Sequence, residues 1–152
     1  MFHRILIAVL LFSSFTLAAI QSVGVRGILM CGDRPLTNAE VKLWLLRTFP
    51  RPDTNLATVK TDSVGRFQVS GTDSSIFTIN PAIRIYHRCN NRGLFNIPNL
   101  CQRKSTFNIP SSYIERSETV SRWYELGVLN LEAKHRGEQT HCMSNPIRAL
   151  GR

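Results

Sequence analysis

Apolar residues occupy every second position along much of the chain, the period of strands with one buried face. Val23, Val25, Gly27, Leu29 and Cys31 share one face, and Gly32-Asp33-Arg34-Pro35 ends the run with turn residues. Val41, Leu43 and Leu45 alternate next, with Lys42, Trp44 and Leu46 opposite. Pro50-Arg51-Pro52-Asp53 predicts a loop, because two prolines one residue apart cannot sit in a central strand. A short strand over Thr58–Thr61 leads to Asp62-Ser63-Val64-Gly65, a turn in which Gly65 is expected to take positive φ. Phe67 and Val69 then face one way, Arg66, Gln68 and Ser70 the other.

Ile83, Ile85 and His87 alternate against Arg84, Tyr86 and Arg88, and Ser105, Phe107 and Ile109 repeat the pattern before Pro110. The last predicted strand runs from Tyr124 to Lys134, with a bulge at Gly127 where the alternation slips. Only Ser112 to Arg122 has room for a helical turn. Seven or eight short strands with regular turn signals predict an all-β fold, an antiparallel β-sandwich.

The N-terminus departs from this pattern. A positive Met1-Phe2-His3-Arg4, an apolar Ile5–Phe12 and small residues at Ser13, Ser14, Thr16, Ala18 and Ala19 have the layout of a secretory signal. The expected division is residues 1–18 as signal peptide, 19–142 as the sandwich domain and 143–152 as a loose tail. The apolar run is too short for a membrane span, and no later stretch approaches one, so no transmembrane segment is expected. About 130 residues make one domain with a core of its own.

Export changes how the four cysteines read. Cys31, Cys89, Cys101 and Cys142 are an even number in an oxidising compartment, which predicts two disulfides among three connectivities. The spacing favours a nested arrangement, Cys89 with Cys101 around a short loop and Cys31 with Cys142 across the domain. The shorter bridge is then expected to contribute less stability.

Several local signatures occur together. They are Val25-x-Gly27-x-Leu29-x-Cys31, Thr61-Asp62-Ser63-x-Gly65-x-Phe67, Ile79-x-Pro81 and Ile85-Tyr86-His87-x-Cys89-Asn90. Ile109-Pro110-x-x-Tyr113 and Tyr124-Glu125-Leu126-Gly127 follow. In order and spacing the chain resembles the nematode transthyretin-like family of small secreted proteins over residues 22–142. The resemblance implies a transthyretin-type sandwich and a role in extracellular recognition. Some members bridge exposed phosphatidylserine to an engulfment receptor, and others act on a host as secreted effectors.

The transthyretin fold also hosts 5-hydroxyisourate hydrolases. Those enzymes carry an early-strand histidine and a C-terminal Tyr-Arg-Gly-Ser. Here the first mature strand has no histidine and the chain ends Ala149-Leu150-Gly151-Arg152. Nothing is placed to activate water or hold an oxyanion, so no enzymatic activity is expected. His87-x-Cys89 and His141-Cys142 are weak metal-ligand material because their cysteines are expected to be bridged, so neither metal nor cofactor is predicted. His87 is expected to be a partly buried histidine hydrogen-bonded within the sandwich. Trp44 is expected to pack against a loop or a neighbouring protomer.

Charge supplies the functional expectation. Nineteen Lys and Arg stand against ten Asp and Glu, a formal net charge of +9. In an exported protein that points to an extracellular protein receptor or an anionic phospholipid surface, and not to nucleic acid. The expected function is a non-enzymatic binding module; the alternative is a small-ligand carrier at an oligomer interface. The candidate surface combines Arg84, Tyr86 and Arg88 with the segment that follows, Arg92, Leu94, Phe95 and Ile97, and with Arg103 and Lys104 beyond it. Basic flanks around an apolar tip suit either partner.

Overall fold

The computed structural model describes residues 18–90 and 101–142, which form nine strands in two sheets. The strands are β1 (Ala19–Cys31), β2 (Arg34–Pro35), β3 (Glu40–Leu45), β4 (Thr54–Lys60), β5 (Arg66–Ser75), β6 (Pro81–His87), β7 (Cys101–Asn108), β8 (Trp123–Asn130) and β9 (Gln139–Cys142). A single 3-10 turn at Ser111–Tyr113 falls at the start of the stretch expected to have room for one.

In the first sheet β1 is central, flanked by β5 and β8, with β2 folded back on its end. The second runs β4-β3-β6-β7-β9. The expected all-β sandwich with two disulfides is present. Every strand pair is antiparallel except β1 with β8, which run parallel. The slip expected at Gly127 is there: Arg26 pairs with Glu125 and Gly27 with Gly127, so Leu126 is the extra residue of a bulge, and Gly127 has φ 73°.

The core follows the alternation. Val23, Val25 and Leu29 of β1 and Phe67 and Val69 of β5 meet Val41, Leu43 and Leu45 of β3 and Ile83 and Ile85 of β6, all buried. Gly65 sits in the Asp62–Arg66 turn with φ 77°, and a Cβ there would lie 2.3 Å from the Leu29 carbonyl oxygen. Both the backbone angle and the close approach therefore require glycine. Asp62 Oδ1 accepts from the amides of Val64 (2.9 Å) and Arg66 (2.8 Å), fixing that turn.

The disulfides correct the nested pairing. Cys31 is bonded to Cys89 and Cys101 to Cys142, with Cα separations of 5.6 and 3.9 Å. Cys101 and Cys142 are direct register partners on β7 and β9. Cys31 ends β1 in one sheet while Cys89 follows β6 in the other, so their bridge ties the sheets together at one end. Spacing misled because β9 lies beyond the last predicted strand: β8 ends at Asn130, and β9 follows a turn closed by a hydrogen bond from the Glu138 amide to the His135 carbonyl.

Candidate binding face

Register decides which side chains share the outer face of the second sheet. Glu40 and Lys42 of β3 lie opposite Tyr86 and Arg84 of β6, and Tyr86 in turn lies opposite Lys104 of β7. Lys60 of β4 lies opposite Glu40, and Gln139 of β9 opposite Lys104. One row across the sheet is therefore Lys60, Glu40, Tyr86, Lys104 and Gln139. The next is Thr58, Lys42, Arg84 and Thr106. Arg88, two residues past Tyr86, is exposed.

Cations and rings interleave on this face. The Arg84 guanidinium lies over the Trp44 ring at 4.7 Å, and Lys42 Nζ over the Tyr86 ring at 5.1 Å. Tyr86 meets His141 edge-on at 5.4 Å. Two carboxylates serve the group: Glu40 holds Lys42 at 2.6 Å and Asp53 holds Arg84 at 2.5 Å. The backbone amide of Arg47 donates to Asp53, Arg84 adds a side-chain hydrogen bond, and together they lower the Asp53 pKa below the usual carboxylate value. Trp44 is thus covered by Arg84 of the adjoining strand, and its buried indole N–H has no hydrogen-bond partner among the described residues.

The sequence-predicted surface divides on inspection. Arg84, Tyr86 and Lys104 share the outer side of β6 and β7, and Arg88 is exposed just past the end of β6. Arg92, Leu94, Phe95 and Ile97 lie outside the described residues, as do 1–17 and the tail from 143. Arg103 points the other way. Its neighbours in phase, Cys101 and Ser105, are buried, and its side chain is only 11% exposed. It donates to the carbonyls of Cys89 (2.7 Å), Leu131 (2.8 Å) and Ala133 (2.9 Å) and forks onto Glu138 at 2.6 and 2.8 Å. A guanidinium so occupied is a structural clamp between β7, the Cys89 corner and the chain after β8. Burial raises the Glu138 pKa, but the hydrogen bonds from Arg103 and from the His135 amide outweigh it, and the net shift is downward.

His87 lies beside this clamp, in register with Arg103. It is 3% exposed, and neither ring nitrogen has a hydrogen-bond partner among the described residues. The expected hydrogen-bonded histidine is therefore buried but unpartnered. Desolvation first, and the Arg103 charge second, lower its pKa to about 4. Lys42, Lys60 and Trp44 were not foreseen as part of the surface. The alternation put Lys42 and Trp44 opposite Val41, but only strand order brings β3 beside β6.

Among the described residues, no group of three or more His, Cys, Asp or Glu side chains is placed to hold a metal ion. The sequence profile of the Transthyretin-like family matches residues 26–110. Transthyretin-like protein 33 of Caenorhabditis elegans is 42% identical over 123 residues, covering 81% of this chain and 82% of the relative. The chain belongs to the transthyretin-like family. Transthyretin-like protein 5 of the same species is 37% identical over 140 residues, covering 91% of this chain and 97% of the relative. Transthyretin-like protein 46 is 35% identical over 131 residues, covering 86% and 71%. The likeness to these transthyretin-like proteins covers more of the chain than the span the family profile matches.

Proposed function

We propose that this transthyretin-like protein is a secreted, non-enzymatic binding module whose target is an acidic extracellular protein or an anionic lipid surface. The observation that carries this reading is the outer face of the second sheet, where Lys42 and Arg84 lie over Tyr86 and Trp44, Lys60 and Lys104 share the row of Tyr86, and Arg88 is exposed just past β6. Lys42 and Arg84 are engaged by Glu40 and Asp53, which fixes them in place. Lys60, Arg88 and Lys104 have no carboxylate partner among the described residues and are the cations available to a target. Rigid rings between charges supply contact area at low entropic cost, and the charges supply steering.

β6 ends at His87 and β7 begins at Cys101; of the sequence between them, Arg92 belongs to the same proposal as a further cation, and Leu94, Phe95 and Ile97 as its apolar component. Export is part of it too, and recovery from the culture medium of a chain beginning near Ala19 is its check.

The test is Lys60→Glu, Arg88→Glu and Lys104→Glu together, with Leu94→Ser and Phe95→Ser as a separate pair. Sedimentation with phosphatidylcholine vesicles carrying phosphatidylserine, and capture from a surface-protein library, are compared at low and high salt. The charge reversal should abolish binding with an unchanged melting temperature, and wild-type binding should weaken as salt rises. Binding indifferent to all three reversals would remove the face from consideration.

A further inference from the structure

The opposite end of the sandwich from the disulfides carries a second feature, unrelated to the basic face. Phe49 is 92% exposed, Phe77 79% and Ile76 59%. The two phenyl groups flank a cleft of about 450 Å³ between the loop after β3 and the segment joining β5 to β6. Leu45 and Ile79, both buried, form part of its lining, with Leu46 beside them. A volume of this size falls in the range that holds small organic ligands.

Both walls are fixed by polar contacts that leave the rings out. On one side Gln21, 4% exposed, donates from Nε2 to the carbonyls of Phe77 (2.9 Å) and Ser75 (3.3 Å) and accepts from the Ile79 amide at 3.2 Å. On the other, Asp53 Oδ1 accepts from the Arg47 amide at 3.0 Å, and the Arg47 guanidinium reaches Thr54 (3.0 Å) and Asp73 (3.5 Å). Leu46 N donates to the Asn80 carbonyl at 2.8 Å, joining the walls at the base. Exposed rings on pinned walls bind without first having to be ordered.

Charge selects the ligand class. The carboxylates beside the cleft are committed, Asp53 to Arg84 and Asp73 to Arg47. Arg51, which lines the cleft and is exposed, has no ion-pair partner among the described residues. We propose that this cleft binds a small amphipathic anion, its apolar body between Phe49 and Phe77 and its carboxylate or sulfonate on Arg51.

The probe is 1-anilinonaphthalene-8-sulfonate, an aromatic anion that fluoresces on leaving water, titrated against the oxidised protein. N-phenyl-1-naphthylamine is its uncharged counterpart. Wild type should bind the sulfonate at one saturable site. Phe49→Ser with Phe77→Ser should raise its Kd by roughly tenfold or more, as loss of aromatic anchors does. Arg51→Glu should raise it roughly twofold to fivefold, as removal of an exposed charge contact does, and leave the uncharged dye unaffected. Val128→Ser, at an exposed apolar residue of β8, should change nothing, and all variants should melt with the wild type. Unchanged sulfonate binding by the double Phe variant would overturn the proposal. Equal affinity for the uncharged dye, with Arg51→Glu silent, would overturn its anionic part. If the Phe variants lose sedimentation with phospholipid vesicles but keep dye binding, the rings are a membrane contact and the cleft assignment falls.

Discussion

Acidification should destabilise this protein through His87 before its carboxylates titrate. Folded, His87 takes a proton only near pH 4; unfolded, it takes one near 6.5. Above 6.5 neither state is protonated and the residue is neutral to stability. As pH falls from 6.5 the unfolded chain gains a proton that the folded chain refuses, and the loss is complete below about 4. The shift corresponds to a ceiling of about 3 kcal/mol at 1.36 kcal/mol for each pH unit, and to about 2 kcal/mol at pH 5 by the same linkage. The groups facing the ring are Arg103, Glu138 and His135. Glu138, Glu115 and Asp53 have lowered values, so they stay ionised at pH 5 and their own losses begin lower. Urea unfolding at pH 7.5 and pH 5 should show the midpoint fall by about 0.7–2 M, given slopes of about 1–3 kcal/mol/M. His87→Leu should remove most of that difference. Equal midpoints at the two pH values, or a full loss retained in His87→Leu, would refute the reasoning.

Three further outcomes are expected. Gly65→Val should cost about 3 kcal/mol or more by thermal denaturation, because positive φ and the Leu29 carbonyl both oppose a branched side chain; an unchanged melt would mean the turn is not closed as described. Peptide mapping without reduction should recover Cys31 with Cys89 and Cys101 with Cys142, and since the bridges span 58 and 41 positions, paired Cys→Ser removal should cost comparably, up to about 4 kcal/mol each by loop closure. Arg103→Met should cost about 3–5 kcal/mol by stranding the Glu138 carboxylate, and adding Glu138→Gln should restore part of it; equal stability of all three forms would show that the clamp holds nothing.

The strands and the core were legible because alternation reports a half-buried sheet directly: Val41, Leu43 and Leu45 face inward as their spacing requires. The bulge at Gly127 and the turn at Gly65 were legible for the same reason, a broken period and a residue free to take positive φ. Arg103 shows where local reasoning stopped short. It is in phase with Ser105 and Phe107, so the pattern already aimed it inward, but a cation on a core face is resolved only by the carbonyls and the Glu138 carboxylate that surround it. The disulfide pairing, β9 and the gathering of Lys42, Lys60 and Trp44 beside β6 depend on strand order, which no local spacing carries. The phenyl rings at the far end escaped notice because prolines marked residues 50–53 as a loop, and a loop signal says nothing about what its neighbours leave in water.

The parallel pairing of β1 with β8 has a kinetic consequence. One hydrogen-bonding side of β1 is taken by β5, yet the stretch from Gly24 to Met30 finds its other partner only in Trp123–Asn130, about a hundred positions later. A chain made from its N-terminus exposes that side of its most central strand until nearly the whole domain has been synthesised. Such late, non-local closure slows folding and leaves an open edge on which strands from other chains can template. Nascent chains ending before Trp123 should therefore persist as sticky intermediates, and the closing of β8 onto β1 should be the step that chaperones guard.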